Sequence, residues 1–454
     1  MTSDEGVLRS VSWRDLFPWT ILFRLYRVAV SLQLLLLSFV GVWATSAGWE
    51  VSRSVCLSDE SRVSPAVEPF MHRVTGWPDS VYWPTNAAPT TADSKAEGIS
   101  ATLDEPRLAV AVESGTVSWF GDRIVELWHG WLGRTPMYAI MEPVRRWLDP
   151  SLSWDQFAFY LAGGLWSLLV WCLIGGAITR AAAVRLGRDE RVGLRESLEF
   201  SSRKLLSFLG APLLPIGAIF ALGIPLFILG LLMRTNFGVA VGGLLWLPVG
   251  LIGFAMALFA IGLFFGWPLM WSAISAEGSD AFDGISRSYA YTYQRPLQYF
   301  GYFVLALFLG FLGWVIVGLF CQAILQFSLL AVGSGTGPAR LEALRGTLAG
   351  APPADSSLLW FGGGLIGFVN RCFLGLQVAF AYSFMWVAAA AIYLLLRFDA
   401  DQTEMDDVYL EEDDQPRYGL PPLTVDEAGV PGTDSNADSP PEDTTTPPTD
   451  SPAS

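Results

Sequence analysis

Residues able to do chemistry are few in this 454-residue chain, and their spacing argues against most reactions. Two histidines, His72 and His129, and four cysteines, Cys56, Cys172, Cys321 and Cys372, are too scattered for a metal cluster or a disulfide framework. Gly333-Ser334-Gly335-Thr336-Gly337 is glycine-rich, but no lysine follows it as in a phosphate-binding loop. Asp399-Ala400-Asp401-Gln402-Thr403 begins like a calcium loop, yet its sixth position is Glu404 instead of Gly and its twelfth Leu410 instead of Glu. No His-Glu-x-x-His and no Gly-x-Ser-x-Gly occurs. No catalytic, metal or cofactor residue is assigned, and the chain reads as non-enzymatic.

One chemistry survives: contact with a membrane surface. Arg203 and Lys204 stand just before Phe208, and Arg295 just before Tyr299, each set at the start of a long apolar run. A base near an anionic surface contributes about 1 kcal/mol through lipid phosphates. An aromatic one turn deeper suits the headgroup belt. These five residues are the expected anchors.

They belong to a stretch written twice. Gly193-Leu194-Arg195-Glu196-Ser197 through Gly210 recurs as Gly284-Ile285-Ser286-Arg287-Ser288 through Gly301, all at one offset of 91. Ser197 matches Ser288, Ser201 matches Thr292, Lys204 matches Arg295 and Phe208 matches Tyr299. Each copy has helical amphipathic spacing and leads into an apolar run. A cytoplasmic surface helix feeding a membrane span accounts for both. The units are then parallel, each a surface helix followed by two spans. A third unit at the N-terminus is open: Trp13–Arg27 as its surface helix and the first two spans as its pair, without a residue-by-residue match.

Composition sets the class. The chain is 52% hydrophobic and 16% charged, against about 25% charged in soluble domains, with a mean hydropathy of +0.41. From Asp399 onward lie 16 acidic residues and one base, Arg417, which accounts for the whole net charge of −15. The expected fold is an all-α polytopic membrane protein with six transmembrane helices, N-in and C-in. The spans fall at 28–50, 157–178, 205–233, 239–266, 297–327 and 374–396. Seven Lys/Arg between Thr179 and Lys204 place that loop inside.

Between the spans, residues 1–27 form a basic cytoplasmic leader. A signal peptide competes with the first span, but the run exceeds an h-region of about 7–15 residues. Residues 51–156 are extracytoplasmic: loop-rich over 51–106, with two Trp-bearing amphipathic helices over 117–148. These lie on the membrane or pack as a hairpin. Val239–Ala276 holds no charge for 38 residues and reads as one span continuing into an interfacial segment bent at Pro268. Leu358–Val369 reads as an interfacial or re-entrant approach ended by Asn370-Arg371. The acidic tail, 399–454, lacks apolar periodicity and reads as disordered.

Two stretches carry a resemblance. Gly175-Gly176-Ala177-Ile178-Thr179-Arg180-Ala181-Ala182-Ala183-Val184 running on to Gly210-Ala211-Pro212-Leu213 is one. Ser286-Arg287-Ser288-Tyr289 with Tyr293-Gln294-Arg295-Pro296 is the other. They resemble a family of polytopic inner-membrane proteins typical of planctomycete bacteria, over about residues 157–305. More loosely, the surface helix before each span pair is similar to Yip-family and glycerophosphodiester phosphodiesterase membrane-domain proteins. The resemblance implies a multi-pass protein of the cell inner (cytoplasmic) membrane and brings no activity. The expected partners are the lipid bilayer and a protein reached through the acidic tail, with no nucleic acid. The expected role is envelope organisation or partner docking. The alternative is a channel, exporter or lipid-handling protein with a path between the repeat units.

Overall fold

The computed structural model describes residues 18–62, 64, 67–74, 131, 136–147, 149, 151–337, 340, 357–410, 423–425 and 431–433. The chain divides into two compact units, 1–408 and 409–454.

The first unit is helical throughout its described elements. A leader made of a 3-10 turn, Pro18–Arg24, and α1, Leu25–Ala29, precedes α2, Leu32–Cys56. Short helices follow: α3 (Asp59–Arg62), α4 (Glu68–Val74) and α5 (Pro136–Trp147). Then come α6 (Trp154–Gly187), α7 (Leu194–Arg203), α8 (Leu205–Leu232), α9 (Asn236–Leu244) and α10 (Trp246–Glu277). The last are α11 (Ala281–Gln294), α12 (Pro296–Thr336) and α13 (Ser357–Asp401). Six of these, α2, α6, α8, α10, α12 and α13, are long and apolar enough to cross a membrane.

Local chemistry sets several boundaries. Thr235 Oγ1 accepts from Gly238 N–H at 3.1 Å to start α9, and Asp280 Oδ1 accepts from Asp283 N–H at 3.0 Å to start α11. Pro296 opens α12, where its missing N–H costs nothing. Gly278 ends α10 with φ 63°, a left-handed turn that suits glycine.

The long helices pair as three antiparallel hairpins, α2 with α6, α8 with α10, and α12 with α13. With 34, 32 and 45 residues, α6, α10 and α13 extend roughly 51, 48 and 68 Å. A bilayer core is only about 30 Å thick. Each of the three is almost continuously buried near its C-terminal end, over Trp171–Gly187, Gly266–Ala276 and Ala379–Arg397. There they pack on one another. The N-terminal half of α10 and nearly all of α8 are instead exposed and apolar, as at Phe220, Ile224, Phe227, Leu251 and Phe254. The shared core thus sits at one end of the hairpins, here termed the collar end.

Indole rings fill that core. Trp171 stacks on Tyr382 at 4.5 Å, and Trp271 on Trp386 at 4.6 Å with planes 14° apart. Trp267 meets Trp386 edge-on at 5.5 Å. Gly175 leaves the room: a Cβ there would lie 2.9 Å from Trp386 and 3.1 Å from Trp271. A second cluster sits at the far end, where Trp49, Leu57, Val67, Phe70, Met71, Phe159 and Tyr160 pack together.

Several expectations change. Residues 51–74 are not loop-rich where described. Val51–Cys56 extends α2, and α3 and α4 follow, because Leu57, Val67, Phe70 and Met71 supply an apolar face that a count of Ser, Thr and Pro overlooks. Residues 75–130 lie outside the described residues, and with them the first of the two expected Trp-bearing helices up to Trp131. The second is α5. Trp131 packs on Trp314 of α12 at 6.0 Å. The run 239–266 is divided at Leu245, and α10 continues unbroken through Pro268 to Glu277. Leu358–Val369 is no separate approach: α13 runs through Asn370-Arg371 without a stop. The tail does not leave the body at Asp399. Residues 402–408 fold back along the helix ends, with Val408 fully buried. The rest of the tail is the second unit, where Leu423–Val425 pairs antiparallel with Pro431–Thr433 and the other residues past 410 lie outside the described ones.

Two measurements test this packing. Trp386→Ala should lower unfolding stability by about 3–5 kcal/mol, the cost of emptying a ring-sized site, read by chemical denaturation in detergent. Asp155, at the start of α6, has its carboxyl lowered to about 2 by hydrogen bonds from Ser153 and Ser61. A depressed carboxyl contributes stability fully present above about pH 4 and lost as pH falls towards 2. Ser61→Ala should raise the Asp155 titration midpoint, followed by carboxyl NMR or infrared difference spectra.

Candidate functional site

The doubled stretch becomes α7 and α11, and each folds back along the long helix before it. The docking chemistry is alike. Ser201 Oγ donates to Cys172 O at 2.9 Å, beside Gly176, where a Cβ would lie 2.4 Å from that hydroxyl. Ser288 Oγ donates to Gly266 O at 2.6 Å, where a Cβ would lie 2.5 Å away. A small hydroxyl on a glycine lets two backbones approach closely. The leader packs on α13 with the donor reversed, since Ser383 Oγ of α13 donates to Ala29 O at 2.9 Å, while Tyr26 OH of the leader donates to Leu309 O of α12 at 2.5 Å.

A basic residue beside each of these segments reaches the end of a long helix. Lys204 Nζ donates to Gly278 O at 2.6 Å, just past α10. Arg295 Nη2 donates to Asp399 O of α13 at 3.5 Å. Arg24 and Arg27 Nη2 reach Asp189 Oδ1, just past α6, at 2.5 and 3.2 Å. In each case the base ties its segment to the return helix of the hairpin that follows it.

The five expected anchors therefore divide. Arg203 and Arg295 are exposed, and Lys204 is half-buried. Phe208 is 0% exposed, edge-on to Trp271 at 5.9 Å, and its carbonyl accepts from Trp271 Nε1 at 2.9 Å. Tyr299 is buried and its hydroxyl donates to Phe265 O at 2.5 Å. Both aromatics are thus buried against the chain itself.

A charged junction joins α10, α11 and α13. Glu277 Oε2 pairs with Arg287 Nε at 2.7 Å, and Glu277 Oε1 lies 3.7 Å from Arg397 Nη1. Tyr393 OH also donates to Glu277. Asp401 takes Tyr291 OH, with Arg287 Nη1 at 3.9 Å. Burial, and then the Asp401 carboxylate, push the Tyr291 hydroxyl above its ordinary value. Arg397, 3% exposed, also donates to Glu404 O and Asp407 O at 3.1 and 2.5 Å. Arg188 Nε donates to Asp406 O at 3.1 Å. The root of the acidic tail is thus held by its backbone carbonyls, which no charge count reveals.

Sequence reasoning also passed over Arg180, counted only as one base of a loop. It is buried in α6, donates to Ser275 O at 2.8 Å and lies 4.4 Å over the Phe200 ring. Thr179 Oγ1 and Ser275 Oγ are 2.7 Å apart beside it. Among the described residues no group of His, Cys, Asp and Glu could hold a metal ion. The arrangement fixes helix ends to one another.

Removing one partner of a buried charge pair costs about 3–5 kcal/mol, because the other charge stays behind. Glu277→Gln should fall in that range in detergent unfolding. Glu277→Gln combined with Arg397→Met should recover part of the loss, the mark of direct coupling in a double-mutant cycle. No family model matches the chain, no curated protein is significantly similar to it, and no solved structure is either.

Proposed function

We propose that the chain is a non-enzymatic multi-pass protein of the inner (cytoplasmic) membrane that organises the envelope or docks a protein partner, with both ends of its helical body inside. The observation that carries this reading is the collar-end core. Three long helices are fused there by stacked Trp171, Trp271, Trp386 and Tyr382, which fills the space a central path would need. A rigid platform with an acidic extension suits docking. The planctomycete resemblance belongs to the same reading, and the tail is the proposed contact for a protein partner.

The proposed topology puts the collar end in the cytoplasm. Arg185 in the last turn of α6 and Arg188, Arg191, Arg195, Arg203 and Lys204 after it lie at this end, and cytoplasmic loops collect such residues. In this reading α7 and α11 are cytoplasmic amphipathic helices, with Arg203 and Arg295 exposed towards lipid phosphates.

The repeat reading extends to three parallel units: leader–α2–α6, α7–α8–α10 and α11–α12–α13. What supports it is the recurrence of the same contacts. Each unit's first segment packs on the return helix of the unit before, and the leader packs on α13, which closes the set into a ring. Each unit also carries its own basic tie, through Arg24 and Arg27, Lys204, or Arg295.

A channel, exporter or lipid-handling role is the second reading. It is favoured by the exposed apolar faces that the hairpins leave away from the collar, as at Phe227, Phe254 and Phe320.

Reporter fusions should read inside at Asp189, Ser279 and Asp413, and outside at Glu97 and Gly346. An outside signal at Ser279 would reverse the topology of α10. Deleting residues 409–454 should remove protein partners from a cross-linked pull-down, and an unchanged partner set would sink the docking role.

A further inference from the structure

Where the leader crosses the end of α6, basic side chains outnumber their partners. Arg24 and Arg27 each bring a terminal nitrogen to one oxygen, Asp189 Oδ1, at 2.5 and 3.2 Å. Asp189 stands just past α6 in a left-handed turn, φ 63°. Arg185, one helical turn before it, lies within electrostatic reach of Arg191, Arg27 and Arg24 as well as of Asp189. Among the described residues no acceptor pairs with Arg185 or Arg191. Counting Glu190, the neighbour of Asp189 in the chain, four guanidiniums stand against two carboxylates. The carbonyl end of α6 offsets about half a charge more. Like charges held this close repel one another until an anion joins them.

The cluster is open to its surroundings. The side chains of Arg27 and Asp189 are 64% and 48% exposed, and Arg191 is exposed too. The carboxylate on which the arginines converge is therefore reachable from outside. What lies next to it decides which anion fits. Trp19 and Phe23 of the leader are exposed, with ring centroids 5.9 Å apart, and Arg27 follows Phe23 by about one turn. Leu32, Leu36 and Trp43 continue an exposed apolar face along α2. Bases and aromatics above an apolar face belong at headgroup depth. A soluble anion would leave Trp19 and Phe23 in water, whereas a lipid meets the bases and the apolar face with one molecule.

We propose that this cluster binds the phosphate of an anionic phospholipid, with Arg27, Arg185 and Arg191 donating to its oxygens and the acyl chains lying along Leu32 and Leu36. Asp189 is a built-in competitor: it engages Arg24 and Arg27 and repels an approaching phosphate. A zwitterionic headgroup carries the same phosphate but brings a cation into the basic field, so it gains less. None of the five expected anchors takes part. The proposal rests on the collar end meeting a headgroup layer and not on which side of the membrane that layer lies, so a reversed topology would leave it standing.

The purified full chain in mild detergent would be titrated with phosphatidylglycerol or phosphatidylcholine and its bound lipid read by native mass spectrometry. Phosphatidylglycerol should bind at least fivefold more tightly. Arg27→Gln with Arg191→Gln should weaken it about tenfold or more and leave phosphatidylcholine nearly unchanged. Arg145→Gln with Arg234→Gln, which removes as much charge from exposed bases at the far end, should change it less than twofold. Asp189→Asn should tighten it at least twofold, since asparagine accepts the left-handed turn and removes the competitor. A purely structural role for Asp189 predicts no such gain. The pairs at Asp189 are exposed, so unfolding midpoints should hold. Inorganic phosphate at the same concentration should leave the lipid bound. Equal affinity for the two lipids, an equal loss in the far-end double variant, weaker binding in Asp189→Asn, or displacement by inorganic phosphate would each overturn the proposal.

Discussion

The stack of Trp271 on Trp386, seated over Gly175, is the contact on which the remainder of the fold depends. It brings α6, α10 and α13 together at one point, one from each hairpin. Buried aromatic pairs add about 0.5–1.5 kcal/mol beyond the area they bury. Their larger effect here is geometric. Flat rings at 4.6 Å, with a glycine in place of a side chain, fix the distance between three helices that would otherwise meet only lipid. Inside a bilayer, apolar burial gives helices little reason to prefer each other over acyl chains. Shape must supply the preference, and close-fitting rings do.

With the helices fixed at that point, their surplus length has to be managed. α13 alone exceeds the bilayer core by roughly 38 Å if fully helical. The extra turns at the collar are clothed by α7, α11 and the leader. Their hydroxyls donate to backbone carbonyls of α6 and α10, while α13 donates to the leader. Charged residues then close the ends. Arg397 is tolerable at 3% exposure because Glu277 and two carbonyls surround it. The same residues that look like membrane anchors in a linear text are mostly engaged in this closure.

Much of this was legible, and the failures have identifiable causes. The six apolar helices could be read from composition, because hydropathy over some 20 residues is a strong signal. The two copies of the doubled stretch each form a separate helix after a long one. What was misread was the surface they face. Phe208 and Tyr299 have the spacing of headgroup aromatics, and spacing cannot distinguish a lipid neighbour from Gly176 or Phe265 of the same chain. Arg371 was read as a helix stop, since a charge after twelve apolar residues usually marks an exit from the membrane. The helix continues because its backbone hydrogen bonds are made within the helix and do not depend on one side chain. Phe70 and Met71 were hidden in a segment whose average composition is polar, and a core needs only a few residues at the right places.

The contrast between the two ends of the hairpins bears on what such a fold can do. At the collar, the hydroxyls of Ser201, Ser288 and Ser383 and the guanidinium ends of Arg180 and Arg397 are bonded to backbone carbonyls, so a ligand would have to displace those contacts to enter. Along the far halves the helices expose apolar side chains, and their polar groups are scattered, as at Ser38, Thr45 and Ser167. A bound molecule gains most where the protein's own groups are unsatisfied, because it pays no exchange of existing bonds. The apolar faces of the far halves are the surfaces offered to acyl chains, and the fused collar is better suited to holding the hairpins in register than to moving them.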